Sequence, residues 1–375
     1  HLHKKVVSQF TVDHMSDKTI AVYKEVKASR RILVIKLGAL GDVILAVPSL
    51  RMIKRKFPQA FLAVLIDSDL TSVLEYCPYV DEIIPFKRKD KKNRFRNFKT
   101  LIRKLRKYSF DISVDFQNTA KTHAVAFLAG IPARYGYNRG FCGRLLTHGV
   151  GSFDDPLPPV QHQFRVLHLL GITHYEERLE LWPQEDDFDY IRKMFIKAGI
   201  KPKQKKVGFV LSASRRWESK KWPLEYYVSL AQFLTDECGS AVVLIGDESC
   251  AGDRDLFCMK TRVGVLDMVG KTTMSQLAAL MGSLDCVVCG DTAPLHVATA
   301  MKTRIVALFG PTDPRRHVSP AKDQIILRRS LSCSPCYDEQ CPREHRCMRD
   351  ITVEEVYKAV KKQLGFEYHT RKIRA

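Results

Sequence analysis

The sequence contains no apolar run close to the roughly 18 to 20 residues that a membrane-spanning helix needs. This argues against an integral membrane protein. The first 30 residues are polar and basic, with no apolar core followed by small residues, so we expect no signal peptide. Acidic residues are scarce beside basic ones: 41 Asp and Glu against 61 Lys and Arg, a net charge of +20.

Cysteine is present, but not in the pattern of a secreted disulfide framework. Eleven cysteines, an odd number, are scattered over 375 residues, so we expect a reducing, cytoplasmic environment. One local group stands out, with the spacing Cys333-x2-Cys336-x4-Cys341-x5-Cys347. This spacing is compatible with a tetrahedral structural zinc ion, and reversible disulfides and free thiols are the alternatives.

The positive charge is concentrated in one segment. Residues 87–107 include twelve Lys or Arg and a single acid, Asp90. They predict a partner with dense negative charge: nucleic acid, an anionic membrane or a phosphorylated glycolipid. Apolar residues recur there at the spacing of one helix face: Phe98, Leu101, Ile102 and Leu105. The helix lies either on a membrane surface or against the core with its charges solvated.

Short β-branched runs alternate with helical patterns along the chain. We predict strands at residues 31–36, 61–66, 111–116, 207–211, 241–245, 285–289 and 304–309. We predict helices at residues 42–57, 98–107, 224–235, 274–281 and 294–300. Buried strands alternating with helices indicate an α/β protein with two Rossmann-like, doubly wound domains.

Four segments follow from this pattern. An N-terminal extension covers residues 1–30, and the first domain covers residues 31–185. The second domain covers residues 186–350, and a C-terminal helix with a basic tail covers residues 351–375. The boundary near residue 185 is placed where the chain becomes acidic and polar before the strand pattern restarts.

The loop after the first predicted strand is the first candidate site. Gly38 and Gly41 permit a tight turn and the close approach of a ligand, and Asp42 follows at the start of a helix. Asp is a preferred helix N-cap, which is the structural interpretation. The functional interpretation makes Asp42 a general base that accepts the proton of an attacking hydroxyl.

Two loops of the second domain suit a phosphate. Residues 290–296 follow a predicted strand and open a helix, where backbone N–H groups and the helix dipole favour an anion. Residues 212–221 combine hydroxyls with cations. An ordinary capped turn and a solvated polar loop are the respective alternatives.

Four sequence blocks together resemble glycosyltransferase family 9, the ADP-heptose:lipopolysaccharide heptosyltransferases. The blocks are LGALGD at 37–42, SASRRWESKKWP at 212–223, GDTAPLHVATA at 290–300 and FGPTDP at 309–314. The resemblance runs from about residue 31 to about residue 360. It implies a GT-B fold in which the first domain binds the acceptor and the second binds ADP-heptose. It also implies an inverting reaction that requires no cofactor and no catalytic metal.

The resemblance also implies site residues, with Asp42 as the catalytic base. The implied donor contacts are Ser212, Ser214, Arg215, Lys220, Asp253, Asp291, Thr292, Ala293, Pro294, Leu295 and His296. The implied acceptor contacts are Gly41, Asn118, Thr119, Lys121 and Arg134. Asp247 and Glu248 compete with Asp253 for the ribose. The family usually has glycine where this chain has Ala293, which leaves less room for a phosphate but keeps the backbone N–H.

The implied partners are a nucleotide sugar, a lipid A–Kdo glycolipid and an anionic membrane surface. We therefore expect a cytoplasmic protein that is peripheral on the inner face of the inner membrane, and no nucleic-acid partner. Another sugar nucleotide or a protein acceptor is the alternative within the family. A basic nucleic-acid-binding protein is the alternative from another class, but residues 87–107 contain only two aromatic residues, Phe95 and Phe98, and no recognised binding module.

Overall fold

The computed structural model describes residues 11–12, 14–19, 30–87, 94–138, 140–151, 157–211, 217–319 and 323–366. Within these ranges, the strands form two six-stranded sheets in which all neighbouring strands are parallel. No helix in the same ranges is both long and apolar enough to cross a membrane.

The first sheet belongs to the N-terminal half of the chain. Its strands are β1 (Arg31–Ile35), β2 (Phe61–Asp67), β3 (Glu82–Phe86), β4 (Ile112–Asp115), β5 (Ala133–Tyr137) and β6 (His148–Val150). Its helices are α1 (Leu40–Ile44), α2 (Val47–Lys56), α3 (Arg94–Tyr108), α4 (Ala120–Leu128) and α5 (Pro159–His168). The strand order across the sheet is β3-β2-β1-β4-β5-β6.

The second sheet belongs to the C-terminal half. Its strands are β7 (Lys206–Val210), β8 (Ala241–Ile245), β9 (Val265–Asp267), β10 (Cys286–Gly290), β11 (Ile305–Phe309) and β12 (Gln324–Arg328). Its helices are α6 (Glu185–Lys197), α7 (Leu224–Cys238), α8 (Ala251–Lys260), α9 (Met274–Gly282), α10 (Ala293–Ala300), α11 (Pro314–His317), α12 (Arg346–Arg349) and α13 (Val353–Leu364). The strand order is β12-β11-β10-β7-β8-β9.

Both sheets have the same topology when strands are numbered within each half. The order is 3-2-1-4-5-6, the arrangement of dinucleotide-binding folds. The direction of strand addition reverses between β1 and β4 in the first sheet, and between β7 and β10 in the second. Ligands of such sheets bind at the carboxyl ends of the strands at these switch points, so each half has one expected site.

Central strands are buried on both faces, as their continuous apolar runs predict. Along β1, Ile32 and Val34 join the apolar cluster around α2, while Leu33 and Ile35 join the cluster around α3 and α4. The first cluster continues without interruption into the second half, where it includes apolar residues of α9 and α10. One apolar layer is therefore shared by the two halves.

Two expectations from the sequence need comment. The helix predicted at residues 42–57 is two helices, α1 and α2, because Pro48 in the first turn of α2 has no N–H to continue the hydrogen bonds of α1. The predicted boundary at residue 185 coincides with the first residue of α6. The limits of the four segments remain predictions.

Candidate active site

Asp42 lies in the first turn of α1, beside the switch point between β1 and β4. The N-cap of α1 is Ala39 and no side chain caps the helix, so Asp42 is not the N-cap of the structural interpretation. Its Oδ2 lies 3.1 Å from Nζ of Lys36, and 51% of its side chain is exposed. The carboxylate is therefore held by one cation and remains open to a second ligand.

Lys36 was not identified from the sequence, yet it organises this switch point. Its buried ammonium also donates to the carbonyl of Phe116 at 3.4 Å, while the N–H of Leu37 donates to Oε1 of Gln117 at 3.0 Å. These bonds join the loop after β1 to the loop after β4. A lysine that ends an otherwise apolar, buried strand is the sequence signal that points to it.

The switch point between β7 and β10 holds a buried ion pair. Nζ of Lys220 lies 2.6 Å from Oδ2 of Asp291, and the two side chains are 12% and 6% exposed. The same ammonium lies 4.5 Å from the ring centroid of Trp217, a cation–π contact. Burial would raise the pKa of the Asp291 carboxyl, but His317 and Lys220 outweigh it and lower that pKa below its usual value.

The turn that opens α10 has an uncapped N-terminus. Thr292 is the N-cap, but its side chain accepts no capping hydrogen bond, and its buried hydroxyl has no hydrogen-bond partner among the described residues. Pro294 lies in the first turn, where its missing N–H costs nothing. Ala293 is half-buried at the first helical position, and Leu295 is buried in the apolar core. The N–H groups of Thr292 and Leu295 donate to the carbonyls of Gly290 and Thr292, so the Ala293 N–H is the amide of this first turn that is left for an anion.

His296 joins the two switch points. A Cβ added at Gly41 would lie 2.6 Å from Cδ2 of His296, so only glycine permits this close contact between α1 and α10. Burial lowers the pKa of His296 to about 4, and the nearby Asp291 and Asp42 offset this only in part. The imidazole is therefore neutral at neutral pH and wedged between the loops that carry the two carboxylates.

The other residues predicted to bind the donor either lie outside the described residues or already have partners. Ser212, Ser214 and Arg215 lie outside the described residues. Asp253 forms an ion pair with Lys221, with Oδ2 and Nζ 3.0 Å apart, and Asp247 accepts a hydrogen bond from the backbone of Ser249 at 2.9 Å.

Glu248 differs from both competing acids. It is exposed just beyond β8, and its carboxylate contacts the Cα side of Gly270, beyond β9. Among the described residues no side chain or backbone group pairs with it. Of the three acids that compete for the ribose, Glu248 therefore has the carboxylate left open at the carboxyl ends of the strands.

Of the side chains predicted to bind the acceptor, three form hydrogen bonds within the protein and one is exposed. Oδ1 of Asn118 accepts from the backbone N–H of Tyr137 at 2.8 Å, and the Thr119 hydroxyl caps α4. The Arg134 guanidinium donates to backbone carbonyls of its own segment and of Leu145, the latter at 2.6 Å. The structure thus engages these three side chains within the first sheet. Lys121, in the first turn of α4, is exposed.

The sequence analysis did not identify a buried pair of side chains, Asp115 and His123, at the loop after β4. Oδ1 of Asp115 accepts from the N–H groups of Gln117 and Asn118, both at 2.9 Å. Its Oδ2 lies 3.4 Å from Nε2 of His123. Burial raises the pKa of Asp115, and these hydrogen bonds and His123 oppose the rise. The pair fixes the loop that faces Lys36.

Comparison with known proteins identifies the family of this chain. The family model described as glycosyltransferase family 9 (heptosyltransferase) matches residues 98–346. The protein belongs to glycosyltransferase family 9. It is 29% identical over 297 residues to lipopolysaccharide heptosyltransferase 2 of Escherichia coli strain K12, which covers 76% of this chain and 84% of that protein.

Solved structures share the fold of this family 9 enzyme. The glycosyl transferase family 9 structure from Veillonella parvula DSM 2008 superimposes with a TM-score of 0.82 at 23% identity, over 89% of this chain and 97% of that one. The ADP-heptose lps heptosyltransferase II of E. coli gives 0.73 at 23% identity, over 89% and 98%. The predicted GT-B fold is confirmed, and the enzyme class is favoured over the nucleic-acid-binding alternative.

The cysteine group of this glycosyltransferase holds free thiols in the structure. Burial raises the pKa of the Cys347 thiol to about 11, and Cys341, Cys336 and Cys333 add to the rise. In the part of the chain that the structure describes, no three His, Cys, Asp or Glu side chains are arranged to hold a metal ion. The choice among zinc, disulfides and free thiols stays a prediction.

Proposed function

We propose that this enzyme transfers heptose from ADP-heptose to the Kdo/heptose inner core of lipopolysaccharide, with inversion and with Asp42 as general base. The observation that carries the proposal is the exposed Asp42 carboxylate, held beside the β1/β4 switch point and packed through Gly41 and His296 against the turn that opens α10. Two similar proteins, a lipopolysaccharide heptosyltransferase 2 and an ADP-heptose lps heptosyltransferase II, support the choice of donor and acceptor.

In the proposed reaction an acceptor hydroxyl oxygen attacks the anomeric carbon of the donor. Asp42 accepts the hydroxyl proton, and the bond from the anomeric carbon to the β-phosphate oxygen breaks with its electron pair leaving on ADP. Lys36 holds the carboxylate in place. The opposite position of nucleophile and leaving group inverts the anomeric centre.

On the donor side, the diphosphate lies at the N-terminus of α10. Lys220, the Ala293 amide and the unpartnered Thr292 hydroxyl stabilise the charge that develops on ADP. Ser212, Ser214 and Arg215 belong to the same proposed donor site. We assign the ribose to Glu248 rather than Asp253, because Lys221 already occupies the Asp253 carboxylate. This set supplies positive potential without a metal ion.

On the acceptor side, Lys121 is the cation we assign to a Kdo carboxylate or a core phosphate. It is exposed in the first turn of α4, and the Asp115–His123 pair fixes the loop before it. Asn118, Thr119 and Arg134 would shape this region through their backbone bonds rather than bind the sugar directly.

We also propose that the enzyme acts on the inner face of the inner membrane through a surface around α3. The exposed cations of α3 are Arg96, Lys99, Arg103, Lys104, Arg106 and Lys107. Leu101 and Leu105 face the core, as the helix periodicity predicts. Two almost fully exposed rings, Phe95 (91%) on α3 and Phe141 (79%) after β5, supply apolar anchors.

Co-sedimentation with vesicles that contain about 30% phosphatidylglycerol should fall at high salt and in Phe95→Ser. Equal recovery with neutral vesicles would contradict this surface.

The decisive experiment measures ADP release from ADP-heptose in the presence of Kdo-containing lipid A. Wild type should release ADP only when the acceptor is present. Asp42→Ala should slow this release roughly 10²–10⁴-fold, because the general base is lost. Asp186→Ala, which removes an exposed carboxylate of α6, is the matched control and should keep full activity. Activity restricted to another sugar nucleotide or to a protein acceptor would overturn the proposed donor or the proposed acceptor. Near-normal turnover in Asp42→Ala would overturn the assignment of Asp42 as the general base.

A further inference from the structure

His317 ends α11, just beyond the four sequence blocks, and was not among the predicted site residues. Its Nδ1 lies 3.7 Å from Oδ2 of Asp291, the oxygen that also pairs with Lys220. The Tyr337 ring packs on its other side, with centroids 5.9 Å apart and planes tilted by 40°. About a third of the side chain, 34%, remains exposed. The imidazole is thus fixed by a carboxylate and an aromatic ring, with one part open.

Several charged groups on different elements act on the charge of this ring. Asp291 and Lys220 belong to the second switch point, Asp42 belongs to α1, and Asp313 precedes α11. Burial lowers the pKa of His317; the three carboxylates oppose that change, and Lys220 adds to it. The net result is a histidine that is neutral at neutral pH and close to both catalytic loops.

The positive charge at the second switch point, that of Lys220, already pairs with a carboxylate. Lys220 is paired with the buried Asp291, so its charge is largely offset before a ligand binds. A nucleoside diphosphate at the α10 turn would bring two or more negative charges, more than Lys220 can balance. An anion within about 4–6 Å favours the charged form of an imidazole, and the open part of the ring leaves space for that contact.

We propose that His317 is a protonatable ligand of the donor diphosphate and of the departing ADP, neutral in the free enzyme and cationic when the anion is bound. The inference rests on the proposed function, because that function supplies the diphosphate. The proton comes from solvent and returns to it when ADP dissociates. His317 would thereby add a positive charge to the donor site only while a diphosphate occupies it.

The consequence is a defined pH dependence of binding. The complex holds more protons than the free enzyme, so ADP affinity rises as pH falls, by no more than roughly tenfold per pH unit for one proton. His296 does not supply this proton, because it is fully enclosed and its pKa is about 4. The effect is therefore assigned to a single ring.

The test is isothermal titration calorimetry of the full chain with ADP at pH 7.5, in two buffers with different ionisation enthalpies. Comparison of the two heats gives the number of protons exchanged. Wild type should take up roughly 0.3–1 proton more than His317→Gln, because ADP's own ionisation is common to both. Between pH 8 and pH 6, the gain in ADP affinity should be roughly 3–10-fold larger in wild type. His174→Gln, at an exposed loop position, is the control and should match wild type.

A second variant tests whether the effect of His317→Gln comes only from a change in structure. His317→Arg has a permanent charge, so it should bind ADP with the affinity of the protonated state and with the proton exchange of His317→Gln. Equal proton uptake in wild type and both variants would overturn the inference while leaving the ADP site intact. Failure of ADP to bind wild type would overturn the inference together with the proposed function.

Discussion

Asp42 and Asp291 are carboxylates at the switch points of two sheets with the same strand order, yet their surroundings differ. Asp42 is half exposed and has one cation, Lys36. Asp291 is almost fully buried between Lys220 and His317. The same topology thus supplies one carboxylate that is free to react and one that fixes its neighbours. A carboxylate's role in this fold follows from its exposure and partners more than from its position after a strand.

The difference predicts unequal effects on stability. Asp291→Ala would leave the buried Lys220 ammonium unpaired and should lower the free energy of unfolding by about 3–5 kcal/mol. Asp42→Ala leaves the buried Lys36 ammonium with the Phe116 carbonyl as its acceptor and removes a half-exposed carboxylate, so it should lower the free energy of unfolding by less, about 1–3 kcal/mol. Urea unfolding followed by circular dichroism measures both. Equal losses in the two variants would remove the distinction between the carboxylates.

Acid should weaken the same buried region. The folded-state pKa of His296, about 4, lies below the ordinary value of 6.5, so the unfolded chain binds more protons as pH falls through that window. The free energy of unfolding should therefore decrease by about 2 kcal/mol from pH 7 to pH 5 through this residue. His296→Gln should lose that part of the pH dependence. An identical slope in wild type and variant would show that the ring is not kept neutral by burial.

The contact that connects the two carboxylate loops predicts a smaller effect on activity. Gly41→Ala places a methyl group against His296 and should lower kcat/KM for heptosyl transfer about tenfold by displacing Asp42. Gly252→Ala, in α8, has open space around its new methyl group and is the matched control. Alanine favours the helix at both positions, but at Gly41 the clash with His296 opposes that gain, so the melting temperature should fall in Gly41→Ala and not in Gly252→Ala. A fully active Gly41→Ala enzyme would separate the Gly41–His296 contact from catalysis.

The sequence predicted the buried strands of this fold better than its edges. β1, β2, β4, β8 and β11 lie within a residue or two of their predicted limits. The strands β3, β5, β6, β9 and β12 were not predicted, and β6 and β9 have only three residues each. Such short, partly exposed strands lack a continuous apolar run, and their pairing with a neighbouring strand defines them instead.

Prediction of the site was limited by long-range pairing. Asp42, Lys220 and the turn after β10 stand in recognisable motifs, so the sequence alone marked them as candidates. Lys36 and His317 gain meaning only from the carboxylates that the fold brings to them. Asp253 shows the same limit, because its ion pair with Lys221, 32 residues away in sequence, is visible only in the fold.

The apolar layer shared by the two halves also sets an order of events during synthesis. Val43 and Ile44 of α1 belong to the same cluster as Leu295 of α10, which the ribosome adds about 250 residues later. At synthesis rates of roughly 5–20 residues per second, this is a delay of about 10–50 s. For that time the surface of α10 that covers α1 does not exist. The nascent N-terminal half thus exposes the loop that carries Asp42 before the half that will enclose it has been made.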